Sequence, residues 1–136
     1  MTPAHVYRAA MEGATYSLKY GFDAFVRAGM QFERIVLTGG GSNSAAWRQL
    51  VADVFGLPVD VPVQAEGAAF GAALQALWAW GRADGDAASI ADIARAHVAT
   101  DPALSATPDP TRTQAYAAAY QRFLQHLDAL TPLQRG

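Results

Sequence analysis

The chain has no cysteine and one lysine, Lys19, among its 136 residues. Without thiols there is no disulfide framework, no thiolate nucleophile and no cysteine metal ligand, a usage that fits the cytoplasm, where the protein is expected to work. With no lysine after Gly41, the phosphate-binding pattern G-x-x-x-x-G-K-[ST] is excluded. Ten basic residues against twelve acidic ones leave a net charge of −2, and the two signs are interspersed. No basic face for nucleic acid and no polybasic patch for a membrane follows from that balance. Long hydrophobic runs are also missing. The apolar stretch from Gly67 to Trp80 is about 14 residues, short of the roughly 20 that cross a bilayer, and reads as a buried helix. The N-terminus, with His5, Arg8 and Glu12 spread through it, lacks the pattern of a signal peptide. His5, His97 and His126 have no i,i+4 partner, and Glu12, Glu33, Glu66, Asp53 and Asp60 read as isolated carboxylates. Neither a metal site nor a nucleophile–base pair can be assembled from such spacing.

What is present suits one globular α/β domain, since 51% apolar content can build a core at this length. Thr2-Pro3 opens a helix to about Gly29, with Tyr7, Met11, Ala14, Leu18, Phe22 and Phe25 on its apolar face. Arg8, Glu12, Lys19, Asp23 and Arg27 fall on the other side and read as a solvated face. A strand is expected at 34–38, a helix at 44–55 with Gly56 as its cap, and a second short strand within 57–62 fenced by Pro58 and Pro62. The next helix, from Glu66 to Trp80, is crowded with glycine and alanine and is expected at the centre, packed closely. Ser89 and Asp92 form a capping box before a short helix to His97, the stretch 99–110 is extended, and a final helix runs from Thr111 to Leu130. Its stripe of Tyr116, Tyr120, Phe123, Leu124, Leu127 and Leu130 reads as a face docking on the core.

The segment Ile35-Val36-Leu37-Thr38-Gly39-Gly40-Gly41-Ser42-Asn43-Ser44 carries the functional signal. A β-branched run breaks into three glycines and then into a helix start. Backbone without Cβ can bend with φ > 0 and let an anionic ligand reach main-chain N–H groups, and the unpaired N–H groups of the following helix favour the same anion. Gly39, Gly40, Gly41, Ser42, Asn43 and Ser44 are therefore the candidate nucleotide-binding residues. A dinucleotide site for NAD is the rival reading. Gly39 and Gly41 fit G-x-G-x-x-G and Asp60 stands where a ribose-binding acid belongs, but Ser44 replaces the third glycine.

Helix, strand, helix, strand, helix makes a parallel pair, and two strands are too few for a stable sheet. Strands are expected to be missing N-terminal to Thr2. The apolar edge at Ile35–Leu37 is expected to be covered by homodimerisation or an exchanged element.

Glu12-Gly13, Leu37 to Ser44, Trp47-Arg48-Gln49, Ala52-Asp53, Gly56-Leu57-Pro58-Val59 and Glu66 to Ala73, in that order, resemble the C-terminal domain of FGGY carbohydrate kinases, most of all the members that phosphorylate xylulose. The terminal helix with Tyr116, Tyr120 and Phe123 extends the likeness over nearly the whole chain. The resemblance implies a partial ribonuclease-H-like, actin-like ATPase domain at 1–136, with 98–136 a terminal extension packing on it. It implies the ATP-binding half of a kinase that passes the γ-phosphoryl group to a sugar hydroxyl. Gly39, Gly40 and Gly41 would lie against ribose and α-phosphate, Asn43 and Ser44 would face adenine, and the helix at 67–73 would pack beneath the turn. The catalytic base, the acids that hold Mg and most sugar contacts belong to parts of the family's fold that this chain does not contain, so the chain alone is expected to be inactive. A second possibility is a stand-alone nucleotide module completed by a partner chain.

Overall fold

A computed structural model describes residues 1–64 and 67–130. Helix α1 spans Pro3–Arg27, strand β1 Ile35–Val36, helix α2 Ala45–Phe55, strand β2 Val59–Asp60, helix α3 Gly67–Ala83, helix α4 Ile90–His97 and helix α5 Pro110–Leu130. Short 3-10 turns occupy Gly40–Asn43 and Pro102–Leu104. The strands pair in parallel, Ile35 opposite Val59 and Val36 opposite Asp60. The expected Glu66 start of the third helix lies outside the described residues, as do residues 131–136 of the terminal extension.

The centre of the fold is α2, where the sequence had pointed to α3. Apolar spacing at Leu50, Val51 and Val54 buries all three, and Ala52 is fully enclosed. Each large aliphatic side chain so buried is worth about 2 kcal/mol of transfer from water. One side of α2 meets α1 and α5 through Met11, Tyr16, Leu50, Val54 and Tyr120, and the other covers the strands through Val51, Ala52 and Val59. Ser44 caps its start, its Oγ accepting from the N–H of Trp47 at 3.3 Å, and Gly56 at φ +67° ends it. By contrast Leu74 alone is buried along α3, and Trp80 is 69% exposed. Composition misled here because small residues permit close packing without supplying a partner. At Gly67, where a Cβ would sit 3.6 Å from the Thr38 side chain, α3 approaches the segment that leads to the glycine turn.

The face of α1 is turned from its expected position. Met11, Thr15 and Tyr16 are buried, whereas Tyr7, Leu18 and Phe25 are exposed. The residues read as a solvated face meet α5 instead. The Arg8 guanidinium donates to Glu12 at 2.8 Å and to the Tyr116 hydroxyl, and Tyr120 donates to Asp23 at 2.7 Å. Lys19 pairs with Asp23 at 3.4 Å while its ammonium lies 5.4 to 5.9 Å from the rings of Phe22, Phe55 and Tyr120. Aromatic hydroxyls on α5 supplied polar partners, so a charged stripe could serve as an interface. The α5 stripe docks as expected, with Tyr16 5.9 Å from Tyr120 and 5.5 Å from Phe123 between ring centres, although Leu130 at its end is exposed.

The stretch after α4 is more than an extended connection. Val59 exchanges backbone hydrogen bonds with Ala106 at 2.8 and 2.9 Å, and Pro62 bridges antiparallel to Thr100, so this segment covers the outer side of β2. No described strand covers the outer side of β1, where Val36 is 52% exposed.

Candidate functional site

The strand β1 ends against a bend that glycine alone makes easily. Gly39 has φ +82° and ψ −177°, a combination that a Cβ opposes. From there the chain closes a 3-10 turn: the N–H of Ser42 donates to the Gly39 carbonyl at 3.0 Å, Ser42 Oγ donates to the same oxygen at 2.7 Å, and the N–H of Ser44 donates to the Gly41 carbonyl at 3.0 Å. Ser42 is the first donor inside this turn. The N–H groups of Gly40 and Gly41 precede it and find no acceptor among the described residues. Helix α2 begins directly afterwards, its N-terminal dipole adding partial positive charge at the same end. Gly39, Gly40, Gly41 and Asn43 are exposed, and nothing lies within 4 Å of where a Cβ on Gly40 would stand. Gly41 rests against the Trp47 indole, 3.7 Å from its built Cβ.

Of the six candidates three carry side chains, and two of those are used within the protein. Ser42 is 6% exposed and its hydroxyl braces the bend, and Ser44 Oγ is taken up in capping α2. The turn thus offers a ligand chiefly its main chain, together with the exposed Asn43.

The structure adds two residues that sequence reasoning missed. Arg48 is 8% exposed and its Nη1 donates to the Ser42 carbonyl at 2.8 Å. A buried arginine cannot be read from helical spacing, since it takes a core position on α2 like an apolar residue. Asp53, read as an isolated carboxylate, accepts from Gln49 Nε2 at 2.9 Å, from the N–H of Asp109 at 2.9 Å and from Arg112 Nε at 2.8 Å. The i,i+4 spacing of Gln49 and Asp53 was the one local sign of this cluster, which ties the start of α5 to α2.

Asp60 does not serve the turn. Its carboxylate accepts from Arg34 Nη1 and from Ser105 Oγ, each at 3.2 Å, and neither partner belongs to residues 39–44. The ribose acid that a dinucleotide site requires is therefore committed elsewhere. Among the described residues no group of three histidine or acidic side chains could hold a metal ion. No helix among them is long and apolar enough to cross a membrane.

A glycine bend whose Gly40 and Gly41 N–H groups find no acceptor among the described residues, set between a parallel strand and a capped helix, marks an α/β domain with an exposed strand-to-helix glycine turn. Residues 1–80, which include that turn, match the model of the FGGY family of carbohydrate kinases, C-terminal domain, and the chain belongs to this family. It is 37% identical over 129 residues to the xylulose kinase of Haemophilus influenzae, covering 95% of this chain and 25% of that protein. It is 32% identical to the L-xylulose/3-keto-L-gulonate kinase of Escherichia coli, over 94% of this chain and 24% of that protein. The crystal structure of xylulose kinase from Rhodospirillum rubrum superposes with a TM-score of 0.81 at 26% identity, over 100% of this chain and 26% of that one. The chain thus spans about a quarter of the length of the relatives it matches.

Proposed function

We propose that the glycine turn is the adenylate-contacting wall of an ATP-dependent sugar kinase, and that the sugar is D-xylulose. The observation that carries the reading is the geometry at residues 39–41, where the N–H groups of Gly40 and Gly41 find no acceptor among the described residues and the space above Gly40 is open. In this reading Gly39, Gly40 and Gly41 lie against ribose and α-phosphate, with N–H groups donating to the anion without a side chain between. Asn43 reaches the adenine, while Ser42 and Ser44 act by holding the bend and capping α2. ATP, when bound, supplies the γ-phosphoryl group that passes to the sugar hydroxyl. The xylulose assignment is supported by the names of the relatives from Haemophilus influenzae and Rhodospirillum rubrum. The fold accords with a partial actin-like ATPase domain whose sheet other strands complete.

Phosphoryl transfer needs positioning and charge neutralisation from both sides of a cleft. In this reading the chain provides one wall of that cleft, it is inactive by itself, and the remaining groups come from elsewhere in the kinase, which works in the cytoplasm. The apolar hollow of about 480 Å³ beside β1, lined by Leu18, Phe22, Phe25 and Val36 among others, is where a second copy would sit when the chain is alone. Light scattering at high concentration should then show a dimer, and a clean monomer would remove that part of the reading.

The decisive experiment is calorimetric titration of the purified chain with ADP and with NAD, beside an assay for ATP-dependent phosphorylation of xylulose. ADP should bind, NAD should not, and no phosphorylation should occur. Binding of NAD alone would overturn the kinase reading, and xylulose phosphorylation by this chain would overturn the claim of inactivity.

A further inference from the structure

Arg48 is a buried cation directly behind the turn. Helix α2 brings it there in its first turn, where its N–H donates to the Ser44 carbonyl at 3.0 Å, and its guanidinium folds back to the Ser42 carbonyl at 2.8 Å. Among the described residues no carboxylate lies within ion-pair distance of it, although Asp53, one turn further along α2, is paired with Arg112 at 2.8 Å. A guanidinium that is largely buried with no carboxylate beside it gains from an anion or further acceptors near it. Three carbonyls of the bend are engaged within the protein: Gly39 by Ser42, Gly41 by Ser44, Ser42 by Arg48. The N–H groups of Gly40 and Gly41 find no acceptor among the described residues and are left for a ligand.

We propose that Arg48 is a positioning residue of the nucleotide site: it fixes the Ser42 peptide with its carbonyl inward and places a buried positive charge behind the turn that the phosphates of the ligand balance. The proposal rests on the reading of the turn as an adenine-nucleotide site. It predicts a contribution to phosphate recognition separate from any effect on the fold. A merely structural Arg48 would weaken binding of every ligand alike, whereas a phosphate-directed one changes the preference of the site for ADP over adenosine.

The test is calorimetric titration of the purified chain with ADP and with adenosine, in the wild type, in Arg48→Gln and in Arg48→Lys. Glutamine keeps a donor for the Ser42 carbonyl and removes the charge, so the ratio of ADP to adenosine affinity should fall at least about tenfold. Lysine restores the charge and should hold the ratio within about threefold of wild type. Equal loss of both ligands in Arg48→Gln, or no loss of either, would overturn the proposal while leaving the turn as a nucleotide site. A wild-type chain that binds neither ligand would overturn the nucleotide reading itself. Should Arg48→Gln not fold by circular dichroism, the wild type decides. Its ADP preference should persist between about 0.05 and about 0.5 M salt, because buried charges are screened weakly, and a preference that vanishes over that range would refute the proposal.

Discussion

On the proposed reading, adjacent glycines in the turn make opposite predictions, one serving the fold and the other the ligand. Gly39 sits at φ +82° and ψ −177° with nothing within 4 Å of a built Cβ, so Gly39→Ala meets backbone strain and no clash. Residues held in that region lose on the order of 1–3 kcal/mol. The turn can escape the strain by giving up the two hydrogen bonds that Ser42 makes to the Gly39 carbonyl, at 3.0 and 2.7 Å. At about 1 kcal/mol each, those bonds set a ceiling near 2 kcal/mol on the loss. For a domain of this size that corresponds to roughly 6–10 °C in melting temperature. Gly40 has neither a positive φ nor a neighbour within 4 Å, so Gly40→Ala should leave stability within about 0.5 kcal/mol of wild type. Gly40→Val should also melt like wild type, but its branched side chain stands in the space that the nucleotide needs, and ADP affinity should fall at least about tenfold. Differential scanning calorimetry and ADP titration of the three variants separate the effects. If Gly40→Val melts as low as Gly39→Ala, or binds ADP as tightly as wild type, the division of labour within the turn is wrong.

Asp53→Ala leaves the N–H of Asp109 without its acceptor, leaves the Gln49 amide with the Thr107 carbonyl as its remaining acceptor and cuts α5 from its charged tether, so it should cost about 3 kcal/mol; urea unfolding should show a lower midpoint with an unchanged slope. The Tyr16 hydroxyl is buried without a hydrogen-bond partner among the described residues, so Tyr16→Phe should stabilise the chain by about 1 kcal/mol. Burial, with the Glu12 and Tyr116 charges behind it, also pushes the Tyr16 phenol up to about 12, and burial followed by the Asp23 hydrogen bond raises that of Tyr120. The protonated form is the one the fold keeps, so this stability is complete below pH 10 and is lost as pH climbs toward 12. Unfolding followed by circular dichroism should show that alkaline decline, and Tyr16→Phe should reduce it. A variant with the wild-type decline would mean that Tyr16 ionises as freely in the fold as outside it.

The elements of the fold were legible in the sequence because each carries its own chemistry. Ser44 and Gly56 bracket α2, Ser89 with Asp92 begins α4, and Pro110 opens α5. Gly39, with its positive φ, marked the bend of the candidate site. What periodicity could not show was which neighbour an element meets. On α1 the charged positions Glu12 and Asp23 found Tyr116 and Tyr120, residues more than ninety positions away, and the helix rotated to present them. On α3 Gly67 comes close to Thr38, whereas nothing lies within 4 Å of where a Cβ on Gly71 would stand. Arg48 and Asp53 were hidden for a related reason. They occupy buried positions of α2 that hydrophobic spacing assigns to the core, and their partners, the Ser42 carbonyl and the far-off Asp109 and Arg112, become neighbours only once the chain has folded.

The most direct test of the account is an amide NMR titration of the isotopically labelled chain with ADP. The largest shift changes should fall on Gly39, Gly40, Gly41, Ser42, Asn43 and Ser44, with Arg48 following. Changes confined to the hollow between α3 and α4, around Trp78 and Ile93, or no saturable change at all, would contradict the claim that the glycine turn receives the nucleotide.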